Sequence, residues 1–231
     1  MRYITAIWDE IVTWCHGGME PIDYGLLYNW YAVTDIRNVC PTGWHIPTKV
    51  EFEVLSAYLG GAATSGGKLK EIGFVYWDAP NMGVTNEVGF NRRGTGYRRY
   101  NDGVFTGMKV YGWLWLYGTD WYGDPNQSAF VPGTYSDVNI TVMGTYKKTG
   151  CSLRPIKDST ILEDGETGTY IGNDGKLYPT ICIGTQEWVA HNLVETKYRN
   201  GDPIPEVTDD AAWAALITGA LCAYDNNWNN V

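Results

Sequence analysis

Between residues 62 and 150 no apolar run survives more than a few positions before Gly, Asn or Asp interrupts it. The pieces FVYW, GVF, YGWLWLYG and NITVMGTY are aromatic or β-branched, and the residues between them are turn formers. That alternation predicts short strands joined by long loops and excludes a helical bundle for this stretch. The aromatics of the whole chain agree: 11 Trp and 17 Tyr stand against 5 Phe, together with 28 Gly. Rings with a polar handle and many glycines suit a loop-rich fold or a binding surface.

Two helices are predicted. Thr48 and Glu51 form a capping box, after which Phe52, Leu55 and Leu59 recur at helical spacing until Gly60-Gly61 stops the run. The second spans 209–217, opened by Thr208 or Asp209, with Trp213, Leu216 and Ile217 on one side and Gly219 after it. A tight Asn173-Asp174-Gly175 turn inside a β-rich stretch predicts a hairpin. The expected class is α+β with little regular structure.

Several function classes are disfavoured by composition. The net charge is 17 − 26 = −9 with no basic run, whereas a nucleic-acid surface needs clustered Lys and Arg. Arg92, Arg93, Arg98 and Arg99 are the local exception, and a solvated face is expected there rather than an anion site. No stretch approaches the about 20 apolar residues of a membrane span; 211–224, the longest weakly polar one, is broken by Gly219. Asp9 and Glu10 interrupt what would be the apolar core of a secretion signal, which predicts a protein made in the cytoplasm. The cysteines at 15, 40, 151, 182 and 222 form no C-x-x-C and lie near no His pair, so free buried thiols are expected. No metal and no cofactor are expected. Asp78 in WDAPN and Glu87 in TNEVGF are read as organisers of a Gly/Asn loop rather than metal ligands.

The motifs YGLLYNWYAV, CPTGWHIPT, GGKLKE, WDAPNMGVTNEVGF, GYRRYNDGVF and GCSLRPI, within residues 24–157, closely resemble the second half of the Fibrobacter succinogenes major paralogous domain. The first half of that family resembles residues 172–227, so the halves stand in reversed order. The resemblance implies a C-type-lectin-like fold related to formylglycine-generating-enzyme domains. Two arrangements restore it. In a circular permutation, 172–231 packs on 24–157 of the same chain, bridged by a linker at 158–171. In a swap, 172–231 completes a neighbouring subunit. The permutation is preferred, because closing a loop within one chain needs no second molecule.

The resemblance also bears on chemistry. His45 in CPTGWHIPT is expected to cap or pack, and His191 in WVAHNL to make a structural hydrogen bond. Where the family's terminal motif reads GFSVRC this chain reads GCSLRP, so the usual Cys position is Pro155, and a Cys40–Cys151 pair stays open. That departure disfavours the thiol chemistry of formylglycine-generating enzymes, and no catalytic residue is expected. Neither a Glu-Pro-Asn or Gln-Pro-Asp triplet nor a Trp-Asn-Asp triplet is present, so calcium-dependent sugar binding is not supported.

What the resemblance does imply is a ligand surface on the loops of 92–149, with Arg98, Arg99, Tyr100, Asn101, Trp121, Tyr122, Asp124, Asn126 and Tyr135 as candidates. Trp113 and Trp115 are expected to fill the core. Leu116 and Tyr117 replace two small polar residues of the family's GYWWSSTE and mark a candidate assembly contact. Residues 1–23, outside the resemblance, place Ile4, Ile7, Trp8, Ile11 and Trp14 at spacings of three and four, an apolar stripe expected to anchor the chain to another subunit. The expected function is a non-enzymatic phage virion component, in a head decoration, fibre or tail. Its expected partners are other virion proteins or copies of itself, as a homo-oligomer, and a host-surface glycan or protein. A bacterial cell-surface lectin-like adhesin is the alternative.

Overall fold

The computed structural model describes residues 24–118 and 120–231. The predicted stripe of Ile4, Ile7, Trp8, Ile11 and Trp14 lies outside the described residues. In chain order the elements are β1 (Leu27–Tyr28), α1 (Trp30–Val33), β2 (Trp44–His45), α2 (Lys49–Tyr58), α3 (Ala62–Leu69), β3 (Thr95–Arg98), β4 (Phe105–Met108) and β5 (Leu114–Trp115). They continue with β6 (Gln127–Val131), β7 (Met143–Tyr146), β8 (Ile156–Lys157), β9 (Thr167–Ile171), β10 (Leu177–Ile183), β11 (Gln186–Val189), α4 (Asp210–Ala215) and β12 (Leu221–Cys222). The chain is α+β, with mostly short strands.

Helix α2 begins as its sequence predicts. The Thr48 backbone N–H donates to Glu51 Oε2 at 2.7 Å, and the Glu51 N–H donates to Thr48 Oγ1 at 3.3 Å, so two otherwise unpaired donors are satisfied together. Phe52 and Leu55 are its buried face, and Gly60 and Gly61 end it with φ of +93° and +91°. Helix α3 then starts at once, which the sequence pattern did not predict. Gly66 and Gly67 lower its intrinsic propensity by about 1 kcal/mol each relative to Ala. They are needed for packing instead, since a Cβ on Gly66 would sit 2.6 Å from the Val138 carbonyl oxygen and one on Gly67 would strike that of Gly83.

Helix α4 is shorter than the predicted 209–217. Asp209 caps it, accepting from the Ala212 N–H at 2.7 Å, and Trp213 is fully buried. Leu216 leaves the helix with ψ of 138°, which turns Ile217 out to 76% exposure instead of placing it beside Trp213.

Strands from both segments, 24–157 and 172–231, together with β9 before the second, build one sheet. Its five antiparallel strands run in the order β2-β8-β11-β10-β9, with Trp44 opposite Lys157, Ile156 opposite Trp188, and the β9–β10 hairpin turning through Asn173-Asp174-Gly175 as predicted. Between the segments, the Val189 N–H donates to the Pro155 carbonyl at 3.0 Å, Leu193 to Leu153 at 3.0 Å, and Leu26 to Leu193 at 2.9 Å. β1 pairs with β12, setting Leu27 opposite Cys222. Tyr28, Trp30 and Leu153 share their apolar cluster with Tyr178, Val189, Leu193 and Leu221. A second cluster joins Leu55, Phe90 and Leu114 to Ile183 and Trp188. Smaller sheets, β3-β4 and β5-β6-β7, carry the aromatic loops.

The arginine group is not a solvated face. Arg92, Arg93, Arg98 and also Arg154 are buried, and only Arg99 stays at the surface, paired with Asp102. Arg92 donates to the carbonyls of Gly112 and Val131, and Arg154 to those of Phe90 and Asn91 and to the Asn192 side chain. Loops without a ladder leave carbonyls unpaired, and a guanidinium with five donors can serve several at once. Cys40, Cys151, Cys182 and Cys222 are free and buried, so the Cys40–Cys151 pair left open by the sequence is not formed.

A chain ending at residue 157 would lose Tyr178, Trp188, Leu193 and Leu221 from its clusters. Each is worth roughly 1.5–3 kcal/mol when buried, a sum comparable with the about 5–15 kcal/mol that stabilises a whole domain. We therefore expect residues 1–157 alone to give a collapsed amide NMR spectrum and no cooperative melt. A well-dispersed spectrum from that fragment would contradict the shared core.

Candidate functional site

Strand β3 hands the chain to a short turn fixed by hydrogen bonds from the Arg99 N–H to the Val104 carbonyl (3.0 Å) and from Gly103 to Arg99 (3.1 Å). The turn presents Tyr100 and Asn101. Strand β7 ends opposite, at Tyr146, whose ring stacks on Tyr100 with centroids 3.9 Å apart and planes 23° apart. Neither ring is enclosed: Tyr100 and Tyr146 are 37% and 38% exposed. Asn126 reaches the same place because Asp124 accepts from its N–H at 2.9 Å and from Gln127 Nε2 at 2.7 Å. Those hydrogen bonds hold the Asp124 carboxyl below its ordinary pKa, so it stays an anion that organises the turn.

These residues line a cleft of about 360 Å³ together with Tyr31, Lys147, Lys148 and Ala214. Its floor is fixed by the backbone of Lys147, which donates to the Asn126 carbonyl at 2.8 Å and accepts from the Trp30 N–H at 2.8 Å. Its far wall belongs to α4. Trp213 Nε1 donates to the Lys148 carbonyl and Lys148 Nζ to the Ala214 carbonyl, both at 2.8 Å. Desolvation and the neighbouring Tyr146 hydroxyl raise the Tyr100 phenol above its ordinary pKa, so it remains a neutral hydrogen-bonding group at physiological pH.

Of the predicted ligand residues, the structure brings Tyr100, Asn101 and Asn126 into this cleft and puts Asp124 beneath it. Arg98 is a correction: it is 0% exposed, held between the rings of Phe105 and Trp213 at 4.5 Å from each, and presents nothing to solvent. Arg99 is occupied with Asp102. Trp121 packs against the second apolar cluster, and Tyr135 lies outside the cleft, its carbonyl accepting from Met82. Tyr122 is 93% exposed but does not line the cleft. Leu116 is likewise corrected, since at 1% exposure it is core and cannot meet a partner, while Tyr117 remains half exposed. Trp115 is fully buried as expected, whereas Trp113 is only partly buried and stacks on Tyr97 at 3.7 Å. Sequence reasoning missed Tyr31, Tyr146, Lys147, Lys148 and Ala214. The Tyr-Lys-Lys run at 146–148, ending a strand in a loop-rich stretch, was the available signal.

A second cleft, of about 390 Å³, has Tyr58, Glu87, Asp164 and Cys182 in its wall. Its polar groups are already engaged within the fold. Asp164 accepts from the Tyr58 hydroxyl at 2.6 Å and the Gly184 N–H at 2.7 Å, and Glu87 pairs with Lys68 at 2.9 Å. Among the described residues no group of three or more His, Cys, Asp or Glu gathers at metal-binding distances. The thiols of Cys40 and Cys151 are pushed up by burial, away from the reactive thiolate. Burial and then the charges of Arg154 and Arg93 lower His191 to about 3, which keeps its ring neutral.

His45 ties Asp158, just after β8, to Glu51 in the first turn of α2. Nδ1 lies 2.6 Å from Asp158 and Nε2 2.9 Å from Glu51. Burial pulls its pKa down, but the hydrogen bonds to Asp158 and Glu51 outweigh this and the net shift is upward from 6.5. A base whose folded pKa is raised gives stability that is complete below the unfolded value and lost as pH rises through the folded one. The melting-temperature advantage of the wild type over His45→Asn should therefore be largest near about pH 6 and close towards about pH 9. A gap that does not change over that range would show that the ring acts only by packing.

The profile of the Fibrobacter succinogenes major domain matches residues 18–157, more than half of the chain. No curated protein matches the chain, and no solved structure does. The matched span holds β1 to β8, the capping box of α2 and every wall of the cleft except Ala214. The chain belongs to the Fibrobacter succinogenes major domain family.

Proposed function

We propose that the chain is a non-catalytic binding protein of a phage virion, a head-decoration, fibre or tail component that attaches to the particle and binds a host-surface glycan or protein through the Tyr100–Tyr146 cleft. The observation that carries the binding reading is the cleft itself. Two stacked, half-open tyrosines and two side-chain amides converge from separate loops, the mixture that recognition surfaces use to combine rigid contact area with adaptable hydrogen bonds. The buried thiols, the neutral His191 and the doubly engaged His45 support a role without catalysis.

The domain is read as C-type-lectin-like and circularly permuted, with 172–231 standing for the family's first half and 158–171 as the bridge. Strand pairing between the two segments within one chain supports that reading over a swap between subunits. The virion placement draws on the acidic charge, the apolar stripe at 4–14 and the half-exposed Tyr117 as an assembly contact.

Labelled full-length protein should bind saturably to envelope preparations of the host bacterium, and mass spectrometry should find the chain in purified particles. Replacing Tyr100 and Tyr146 by Ala should weaken envelope binding by about fivefold to a hundredfold, since each lost aromatic contact is worth about 0.5–1.5 kcal/mol beyond its area. Undiminished binding by that variant would remove the cleft from the account, and absence from particles would remove the virion role.

A further inference from the structure

Resting on the binding reading of the same cleft, we infer that its ligand is an acidic saccharide, a sugar ring that carries a carboxylate. The charge of the lining points there. The chain has a net charge of −9, yet this cleft is walled by Lys147 and Lys148 and by no Asp or Glu. The two lysines differ. Lys147 Nζ is neutralised by Asp120 Oδ1 at 2.6 Å. Lys148 Nζ donates only to the neutral Ala214 carbonyl and makes no ion pair with the described residues, so its charge stays uncompensated at the cleft wall. An ammonium with donors to spare beside a partly desolvated cleft favours an anionic group, because a charge-assisted hydrogen bond is about twice as strong as a neutral one.

The remaining lining decides what carries the anion. Tyr31 and the stacked pair Tyr100–Tyr146, each ring of which has one face covered by the other, line the cleft with apolar rings that carry phenolic hydroxyls, a mixture that matches the C–H face and hydroxyl rim of a pyranose. Asn101 and Asn126 in the lining each carry a side-chain donor and acceptor, the pair that neighbouring sugar hydroxyls require. A volume of about 360 Å³ lies at the small end of ligand clefts and suits one or two rings rather than a long polymer face. Nothing in this arrangement calls for a metal: the fixed cation is Lys148, and the hydroxyl ligands are amides and phenols.

The test is titration of the full-length protein with methyl glycosides of glucuronic, galacturonic and N-acetylneuraminic acid and with their methyl esters, which keep the shape and remove the charge. At least one acid should bind about tenfold more tightly than its ester. Lys148→Gln, which removes the charge and keeps a donor on the side chain, should abolish the acid-over-ester preference, so that the variant binds the acid no more tightly than it binds the ester. For the wild type, affinity for the acid but not the ester should fall as salt is raised. Equal binding of every acid and ester, or an acid preference that survives Lys148→Gln and high salt, overturns the assignment to a carboxylate held by Lys148. Failure of all the acids to bind below about 10 mM overturns the ligand class. If envelope binding still depends on Tyr100 and Tyr146 in that case, the binding reading stands and only the ligand class falls.

Discussion

The buried guanidinium of Arg98 is where the two segments of this chain are fastened together. Nε donates to the Gly103 carbonyl, and the two terminal nitrogens reach the Val207 and Thr208 carbonyls and the Asp210 carboxylate. One side chain from the middle of the sequence thus satisfies acceptors in the loop beside it and at the start of a helix more than a hundred residues later. Burying a cation is costly unless its donors are used, and leaving a buried carbonyl without a donor costs about 1–3 kcal/mol. Arg98 meets both demands at once, flanked by the rings of Phe105 and Trp213. Arg92 and Arg154 do the same for other loops, and Lys70 binds the carbonyls of Thr134 and Asp137 at 3.1 and 3.0 Å. Burial lowers Lys70 to about 8 and Arg92 to about 9, the cost of holding charge where the acceptors are mostly neutral carbonyls. A fold with so few ladder hydrogen bonds needs donors of this reach.

The cleft depends on that fastening. Helix α4 has only six residues, too few to persist without tertiary support. Arg98 holds its first turn and Trp213 fills the hollow beneath it, so Ala214 arrives next to Lys148. The opposite wall is set by β3 and β7 and by the Asp124 turn, all of which lie inside the family span. The cleft is therefore a joint product: residues matched to the family carry the tyrosines, asparagines and lysines, and the segment beyond them closes one side.

Much of this was legible in the sequence, and the failures have physical causes. The capping box at Thr48 and the Asn-Asp-Gly hairpin are local devices whose geometry is set by adjacent residues, and both formed where predicted. Tyr100, Asn101 and Asn126 were named because the family resemblance implies a ligand surface on the loops of 92–149 and their residue types suit one, and all three line the cleft. Arg98 was misread because charge alone predicts exposure, whereas its burial follows from carbonyls supplied by residues 207–208, distant in sequence. Leu116 was misread for the converse reason: a change from small polar to large apolar marks burial but does not say against what, and here it faces the chain's own core. Helix α3 was missed because its two glycines serve close backbone approach, a tertiary demand that overrides propensity. Tyr31 and Ala214 were beyond reach, since nothing local announces that positions so far apart share a wall.

Native-state hydrogen exchange distinguishes one cooperative body formed by 24–157 and 172–231 from two that unfold separately. The Tyr28 and Cys151 amides bond to each other's carbonyls within the first segment, while Val189 and Leu193 donate from the second segment to Pro155 and Leu153. With increasing denaturant the exchange free energies of all four should converge on a single global unfolding isotherm. If Val189 and Leu193 open together at a lower free energy while Tyr28 and Cys151 keep their protection, the second segment is an accessory to a body that stands without it, and the account is wrong.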